Sequence, residues 1–253
     1  MRVGMEQWRE VVRNGLGRRM DVKYVVLAGV AACLASCNFT STPAGPVEHE
    51  SRSVDLDQTE LARVGLKMSA GTLKVKGGSS KLMEADFTYN VASWKPEVRY
   101  NNTGARGDLT IEQPVSGGHF GDITYIWDLR LNEQVAVDLT ANLGAGEATL
   151  NLGSLSLRSL EIEMGAGQLN LDLRGQPKRS YDVRIRGGVG EATVHLPKDA
   201  GIEADVQGGI GDISARGLRK EEGRYVNDAL DTAAVKIHLN IRGGVGSINL
   251  IAE

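Results

Sequence analysis

Residues 143–173 read LGAGEATLNLGSLSLRSLEIEMGAGQLNLDL and contain one short phrase twice. The phrase is an apolar residue, Gly-x-Gly, a polar residue and then alternating apolar positions, and it occurs at Leu143–Gly146 and at Met164–Gly167. The Gly-x-Gly returns at Gly188–Gly190, Gly209–Gly211 and Gly244–Gly246, and the final glycines are 21, 23, 21 and 35 residues apart. A fixed period of about 20 residues is typical of solenoids, in which each repeat packs only against its neighbours.

Within each repeat the apolar residues alternate with polar ones, as Val137 and Leu139 do with Asp138. This alternation predicts half-buried strands. After each Gly-x-Gly the apolar positions slip by one residue, which would turn the next strand inside out unless a glycine absorbs the change. We therefore predict corners at the final glycines, which are Gly146, Gly167, Gly190, Gly211 and Gly246. The residues enclosed by the glycines are expected to line the interior, namely Ala145, Ala166, Val189, Ile210 and Val245.

The composition restricts the function. The chain has 253 residues, a formal net charge of −3 and scattered Lys and Arg, whereas a nucleic-acid surface needs a clustered basic face. Strand residues follow the glycine phrases, so these phrases do not form a phosphate-binding loop before a helix. Their polar residues vary and their period is too long for calcium-binding nonapeptides. The four histidines show no ligand spacing, and we expect no metal, cofactor or catalytic residue.

The N-terminal part carries an export signal. Asp21–Lys23 precedes an apolar run from Tyr24 to Ala35, which is too short to span a membrane comfortably. The run ends in Leu34-Ala35-Ser36-Cys37, which resembles the lipobox of bacterial lipoproteins. The resemblance implies that Cys37 is the lipid attachment site and the mature N-terminus. An ordinary signal peptide with a chance cysteine is the alternative. Met20 is a candidate start, which would make residues 1–19 an upstream mis-start.

The segments divide the chain into four parts. Residues 20–36 are predicted to be the lipoprotein signal peptide, and residues 37–53, rich in Thr, Ser, Pro and Gly, a lipidated flexible tether. Residues 54–253 are predicted to form one all-β, solenoid-like domain with coils of about 21 residues. Its aromatic-rich N-terminal part covers 54–133 and its Gly-x-Gly repeats cover 134–253. Within the first part, Lys81–Phe87 is expected to form a short helical turn.

Seven of the twelve aromatic residues lie between Phe87 and Trp127. Such a group more often closes the end of a solenoid, where the terminal unit needs a different residue set. The alternative is an interaction surface on which rings stack against sugars, and its candidates are Trp94, Tyr125 and Trp127.

Several phrases together resemble the bacterial toast-rack proteins: MSAGTLKVKGG, KLMEADFTYNVASWKPEVRY, WDLRLNEQVAVDLTANLGAGEATLNL and MGAGQLNLDL. The resemblance runs from about Val64 to Arg174. More distantly, the glycine phrase is similar to repeats in LiaF-type cell-envelope stress proteins and in adhesin domains. The resemblance implies a β-solenoid domain, often exported and membrane-attached, with no established catalytic activity.

These observations favour a non-enzymatic, lipid-anchored envelope protein, structural or adhesin-like, whose partner is an envelope protein or a glycan. The membrane would be reached through the lipid on Cys37, and it would be the outer one in a cell with two membranes, because Asn38 is not the aspartate that signals inner-membrane retention. Two alternatives stay open. One is an accessory of the envelope stress response, and the other is a polysaccharide-acting enzyme built on a β-helix.

Overall fold

The computed structural model describes residues 42–114 and 119–253, and its regular elements in these ranges are β-strands apart from a single 3-10 turn at Ala92–Trp94. The all-β prediction is therefore confirmed. In chain order the first strands are β1 (Thr42–Pro43), β2 (Glu48–Val54), β3 (Leu61–Ser79), β4 (Met83–Tyr89), β5 (Glu97–Thr103), β6 (Arg106–Glu112), β7 (His119–Phe120) and β8 (Tyr125–Asn132). They are followed by β9 (Ala136–Asn151), β10 (Ser156–Asp172), β11 (Tyr181–Leu196), β12 (Gly201–Gln207), β13 (Ile213–Arg216), β14 (Arg219–Glu221), β15 (Arg224–Val226) and β16 (Lys236–Ala252).

Six coils form the body of the 14-stranded sheet. Coils 1 to 4 are β3, β9, β10 and β11, coil 5 is β12 with β13, and coil 6 is β16. Neighbouring coils pair in parallel and in register, so that glycine lies beside glycine at every corner. The stretch of each coil before its Gly-x-Gly is called the first arm below, and the stretch after it the second arm.

Both arms of a coil face the same interior. In coil 2, Leu139 and Leu143 of the first arm and Ala148 and Leu150 of the second arm are each at most 3% exposed. The buried positions change from odd to even numbers across Gly146, which is the slip that the sequence shows. Because the slip coincides with the corner, it keeps the apolar side chains of both arms in one core instead of turning one arm outward.

The coils do not stack in chain order. Coil 6 pairs with coil 4 on one side and with both strands of coil 5 on the other, so the spatial order is 1-2-3-4-6-5. The segment between β13 and β16 includes the antiparallel hairpin β14–β15, and β15 covers the outer edge of β12 at Glu203 and Ala204. The insertion that lengthens the last repeat step therefore lets the final coil enter the stack beside coil 4.

The N-terminal strands cover the other side of coil 1. The first arm of β3 pairs with β6, and its second arm pairs with β8. Antiparallel strands extend both contacts, with β5 beside β6, β4 beside β8 and β2 beside β4. The two ends of the stack thus differ, since β2 lies at one end and coil 5 at the other.

Two local predictions are wrong. The segment expected to be helical is largely strand β4, in which Met83, Ala85 and Phe87 are buried on one face with Tyr89. The flexible tether was predicted to extend to residue 53, but Glu48–Val54 forms β2 and pairs with β4 over seven residues. Only one position of β2, Val54, is buried, so its sequence shows no alternation of apolar and polar residues. The strand is held in the sheet by its main-chain hydrogen bonds to β4.

Candidate interaction surface

The corner glycines adopt a backbone conformation that other residues rarely reach. Along the stack the φ angles are +125° at Gly146, +133° at Gly167, +142° at Gly190, +136° at Gly246 and +139° at Gly211. Gly71 of coil 1, where the sequence has a weaker copy of the phrase that also predicts a corner, has φ +144° and pairs with Gly146. L-residues are disfavoured in this region because their Cβ meets the backbone.

A second row of glycines keeps the coils close together at the corner. The first glycine of each phrase lies against the backbone of the preceding coil: a Cβ added to Gly165 would lie 2.3 Å from the carbonyl oxygen of Gly144, and one added to Gly188 would lie 2.3 Å from that of Gly165. The sequence repeats these glycines in coils 2 to 6, whereas coil 1 has Ser69 at this position, and strand parity gives them no role. Their role follows from contact between coils, which a single repeat does not contain.

The residue between the two glycines points outward at every corner. This corrects the prediction that these side chains line the interior: Ala145 and Ala166 are exposed, and Val189, Val245 and Ile210 are 57%, 48% and 74% exposed. The positive φ falls one residue later, at the second glycine of each phrase, so the strand alternation of the first arm does not continue through the enclosed residue. These residues do form a continuous row, which changes from alanine in coils 1 to 3 to valine and isoleucine in coils 4, 6 and 5.

The core beneath the corner also changes along the stack. The last residue of the first arm is large and buried in coils 1 to 3, where it is Met68, Leu143 and Met164, but it is glycine in the other coils. In coil 6 the side chain of Ile248 reaches the space beside Gly243. Coil 4 has Gly187 beside Gly243 and Ala192 beside Ile248, and both residues line a partly open cavity of about 50 Å³.

Charged side chains form cross-strand ladders on the outside of the arms. Arg186 of coil 4 donates to Glu163 of coil 3 at 2.8 Å and lies 3.7 Å from Glu161. His238 of coil 6 lies 2.9 Å from Glu203, which also pairs with Arg224 of β15. Exposed ion pairs of this kind contribute little to stability, so the ladders chiefly make the outer face a regular array of both charges.

At the turn that ends coil 3, Arg174 holds a group of acidic side chains. Its guanidinium donates to Asp172 at 2.6 and 3.0 Å and to Glu253 at 2.5 Å, and His195 lies 3.2 Å from Glu253. Hydrogen bonds from Arg174 outweigh partial burial and hold the pKa of Asp172 below its ordinary value. The group ties the C-terminal residue to the turn of coil 3.

The predicted aromatic interaction surface is wrong for two of its three residues. Trp127 is 0% exposed and Tyr125 is 3% exposed, because both are inward positions of β8, which pairs with coil 1. Trp127 packs edge-to-face on Phe87 with ring centroids 5.7 Å apart. Trp94 is half-buried, packs edge-to-face against Tyr125 and accepts a 2.7 Å hydrogen bond from the Tyr125 hydroxyl through its main-chain oxygen. Burial raises the pKa of that hydroxyl. The aromatic group therefore closes the N-terminal end of the core.

The lipobox residues Leu34, Ala35 and Ser36 and the attachment site Cys37 lie outside the described residues, as do the signal peptide and the proposed start at Met20. Across residues 42–114 and 119–253, no helix has the length and apolar character needed to cross a bilayer. In the same two ranges no three His, Cys, Asp or Glu side chains are grouped so that they could hold a metal ion.

Comparison with known proteins identifies a family and similar solved structures. Residues 43–195 match the family described as "N-terminal domain of toast_rack, DUF2154". A crystal structure from Clostridium sporogenes, described as a "putative cell adhesion protein", is 32% identical, with a TM-score of 0.78 over 82% of this chain and 100% of its own. A Bacteroides fragilis structure described as a "putative adhesin" is 9% identical, with a TM-score of 0.34 over 83% of this chain and 100% of its own. None of the curated proteins matches the chain.

Proposed function

Because the chain belongs to the toast-rack family, we propose that it is a non-enzymatic, lipid-anchored protein of the bacterial cell envelope that acts as an adhesin-like interaction module. The observation that carries the proposal is the similarity to the Clostridium sporogenes protein, with 32% identity and a TM-score of 0.78 over 82% of this chain and 100% of that one. That protein is described as a "putative cell adhesion protein". The transfer of adhesion to this chain is our inference.

The outer face suits such a role. Its charged side chains change sign between neighbouring coils, as the pairing of Arg186 with Glu161 and Glu163 shows, so a partner meets both charges along the face. A repetitive surface with exposed apolar residues at one end, Val189, Val245 and Ile210, fits the binding of an extended macromolecule better than the binding of a small substrate. The burial of Trp127 removes one of the two tryptophans that supported a polysaccharide-acting enzyme, and the other, Trp94, is half-buried.

The anchoring half of the proposal rests on the lipobox. We propose that the chain is exported, that Cys37 carries the lipid, and that the protein is held at a bacterial membrane, which is the outer membrane if the cell has two. Two buried acyl chains hold a protein at a membrane far more firmly than one, at about 0.8 kcal/mol per buried methylene.

Metabolic labelling with palmitate tests the anchor. The chain should become labelled and should fractionate with membranes, and Cys37→Ser should abolish both. Cys33→Ser is the matched control, because it replaces the other cysteine of the chain four residues earlier and should leave labelling intact. Labelling that persists in Cys37→Ser would refute the attachment site.

Cell binding tests the adhesive half. Cells that display the chain should adhere to one another or to envelope material more strongly than a deletion strain does. A deletion strain with unchanged adhesion to cells and to isolated envelope glycans would refute that half and leave the anchor unaffected.

A further inference from the structure

The outer edge of β13 is an open edge of the sheet, since no described strand pairs with it there. The neighbouring edge of β12 is covered by β15, and the edge strand β2 carries charged side chains along most of its length. Among the described strands, β13 pairs only with β16, and its sequence Ile213-Ser214-Ala215-Arg216 is short, with Ala215 half-buried and the other three exposed. Natural proteins usually block an open edge with charge, proline or a covering element, because an open edge is a template for another strand.

Only alternate residues of β13 have main-chain groups that point away from β16. This limits the registers in which another strand can pair with its outer edge. The Ile248 amide donates to the Asp212 oxygen at 2.9 Å, and Ile213 pairs with Ile248. In a parallel ladder bonding alternates along the strand, so the main-chain groups of Ile213 and Ala215 point away from β16. An antiparallel strand can therefore bond to these two residues.

Charge selects one of these registers. If two copies of β13 pair antiparallel about Ser214, Ile213 lies opposite Ala215 of the second copy and the four outward main-chain bonds form. The same register places Asp212 opposite Arg216 of the second copy, twice by symmetry. Both side chains are exposed, and neither makes an ion pair with any residue the structure describes. Shifting the register moves this pair apart.

The edge also offers apolar surface. Ile213 is 37% exposed although it is on the inward side of the arm, and Ile210 just before it is 74% exposed. A second copy would cover the open end of the core above Ile248, as each coil covers the next within the chain. A closed two-fold interface of this kind uses the β13 edge of both copies, so a third copy has no open β13 edge to which it could add.

We propose that the chain forms a two-fold dimer in which the β13 edges of two copies pair antiparallel about Ser214. The contact is small, so its affinity lies in the micromolar range or weaker, as for other transient interfaces. Its partner is a second copy of this chain rather than an unrelated strand, because the edge is complementary to itself in both hydrogen bonding and charge.

Charge reversal provides a test with an internal control. Asp212→Arg alone and Arg216→Asp alone each set like charges opposite one another in the homodimer, and each should weaken self-association by about tenfold or more. An equimolar mixture of the two variants restores both opposite-charge pairs and should dimerise as the wild type does. Asp182→Arg, an exposed reversal within coil 4, should change nothing.

Sedimentation of the full chain in detergent measures the outcome. A wild type that stays monomeric at about millimolar concentration, well above the affinity expected of a transient interface, would overturn the proposal. Single variants that dimerise like the wild type, or a mixture that does not recover, would overturn the register. A second measurement uses Ser214→Cys with Cys33 and Cys37 replaced by serine. Cross-strand partners about 4.5 Å apart are close enough for a disulfide, so mild oxidation should yield a dimer, whereas Asn170→Cys on coil 3 should not.

One consequence rests on the proposed lipid anchor. The β13 edge and β2 lie at opposite ends of the stack, eight strand spacings or about 40 Å apart. In the dimer, the β2 strands of the two copies therefore lie at its two far ends. The dimer would thus join two membranes. Phosphatidylethanolamine–phosphatidylglycerol vesicles bearing the lipidated Asp212→Arg chain should cluster only with vesicles bearing Arg216→Asp. Dimerisation in detergent without vesicle clustering would refute the bridging role alone, and failure of palmitate labelling would identify a missing anchor.

Discussion

Adjacent glycines in coil 4 should respond in opposite directions to the same substitution. A Cβ on Gly188 would lie 2.3 Å from the carbonyl oxygen of Gly165, whereas a Cβ on Gly187 would meet no atom within 4 Å. Neither residue is among those with positive φ, so steric contact between coils is what separates them. We expect Gly188→Ala to destabilise the fold and Gly187→Ala to leave it as stable or more so.

The magnitude follows from the contact distance. A carbon and an oxygen need about 3.2 Å or more, so coils 3 and 4 would have to separate locally by about 1 Å, which is overpacking at a cost of about 1–3 kcal/mol. Weakening one main-chain hydrogen bond adds about 1 kcal/mol. The lower entropy of unfolded alanine returns about 0.4–1 kcal/mol in both variants. The net change is a loss of about 1–4 kcal/mol for Gly188→Ala and a gain of up to about 1 kcal/mol for Gly187→Ala.

Urea unfolding followed by circular dichroism measures the difference. Both variants should give the same slope against denaturant as the wild type, so that a shift in midpoint reports stability rather than a change in the unfolded chain. In a thermal scan each kcal/mol corresponds to about 2–4 °C for a domain of this size. If the two variants shift equally, or if Gly188→Ala is neutral, the close contact between coils is not what requires this row of glycines.

Two further predictions concern the core and the turn of coil 3. Ala192→Leu should fill the 50 Å³ cavity and stabilise the fold by about 1 kcal/mol, whereas Ala148→Leu, beside the large Leu143, should overpack and destabilise it; urea midpoints that move together would refute the cavity argument. The lowered pKa of Asp172 means that its bond to Arg174 stabilises the fold above the ordinary carboxyl pKa and that this contribution is lost as the pH falls through the folded pKa. Asp172→Asn should therefore lower the free energy of unfolding at pH 7 by up to about 1 kcal/mol and have little effect in strong acid, and a variant whose loss is the same at both pH values would contradict the linkage.

Much of the fold follows from one repeat of the sequence. Alternation on both sides of Gly146, with a slip between, requires two strands that share a core and a glycine that turns the chain. The same argument misplaced Val189, because it assumed that an apolar residue at a corner faces inward. A pattern gives parity along a strand, but the side on which a tight turn presents its central residue depends on where positive φ falls.

The segments that the sequence misjudged all depend on distant partners. The expected helical turn became β4 because β8 and β2 offer hydrogen bonds on both sides, and β2 became ordered through β4 although its own side chains are polar. Trp127 looks like a surface candidate only while its neighbour is unknown, and it is buried because β8 lies beside the first coil. Propensity is weak when both edges of a strand are satisfied by the rest of the fold.

The sequence by itself determined the all-β class, the period of the coils and the parity slip at each corner, because these are properties of consecutive residues and of glycine's freedom at positive φ. Only the tertiary structure decided the order of the last two coils, the cavity between Gly187 and Ala192, the outward row of corner residues and the open edge at β13. Each of these depends on which strand lies beside which. Hydrogen bonding between strands specifies no side chain, so the choice of neighbour is made by the packing of whole coils.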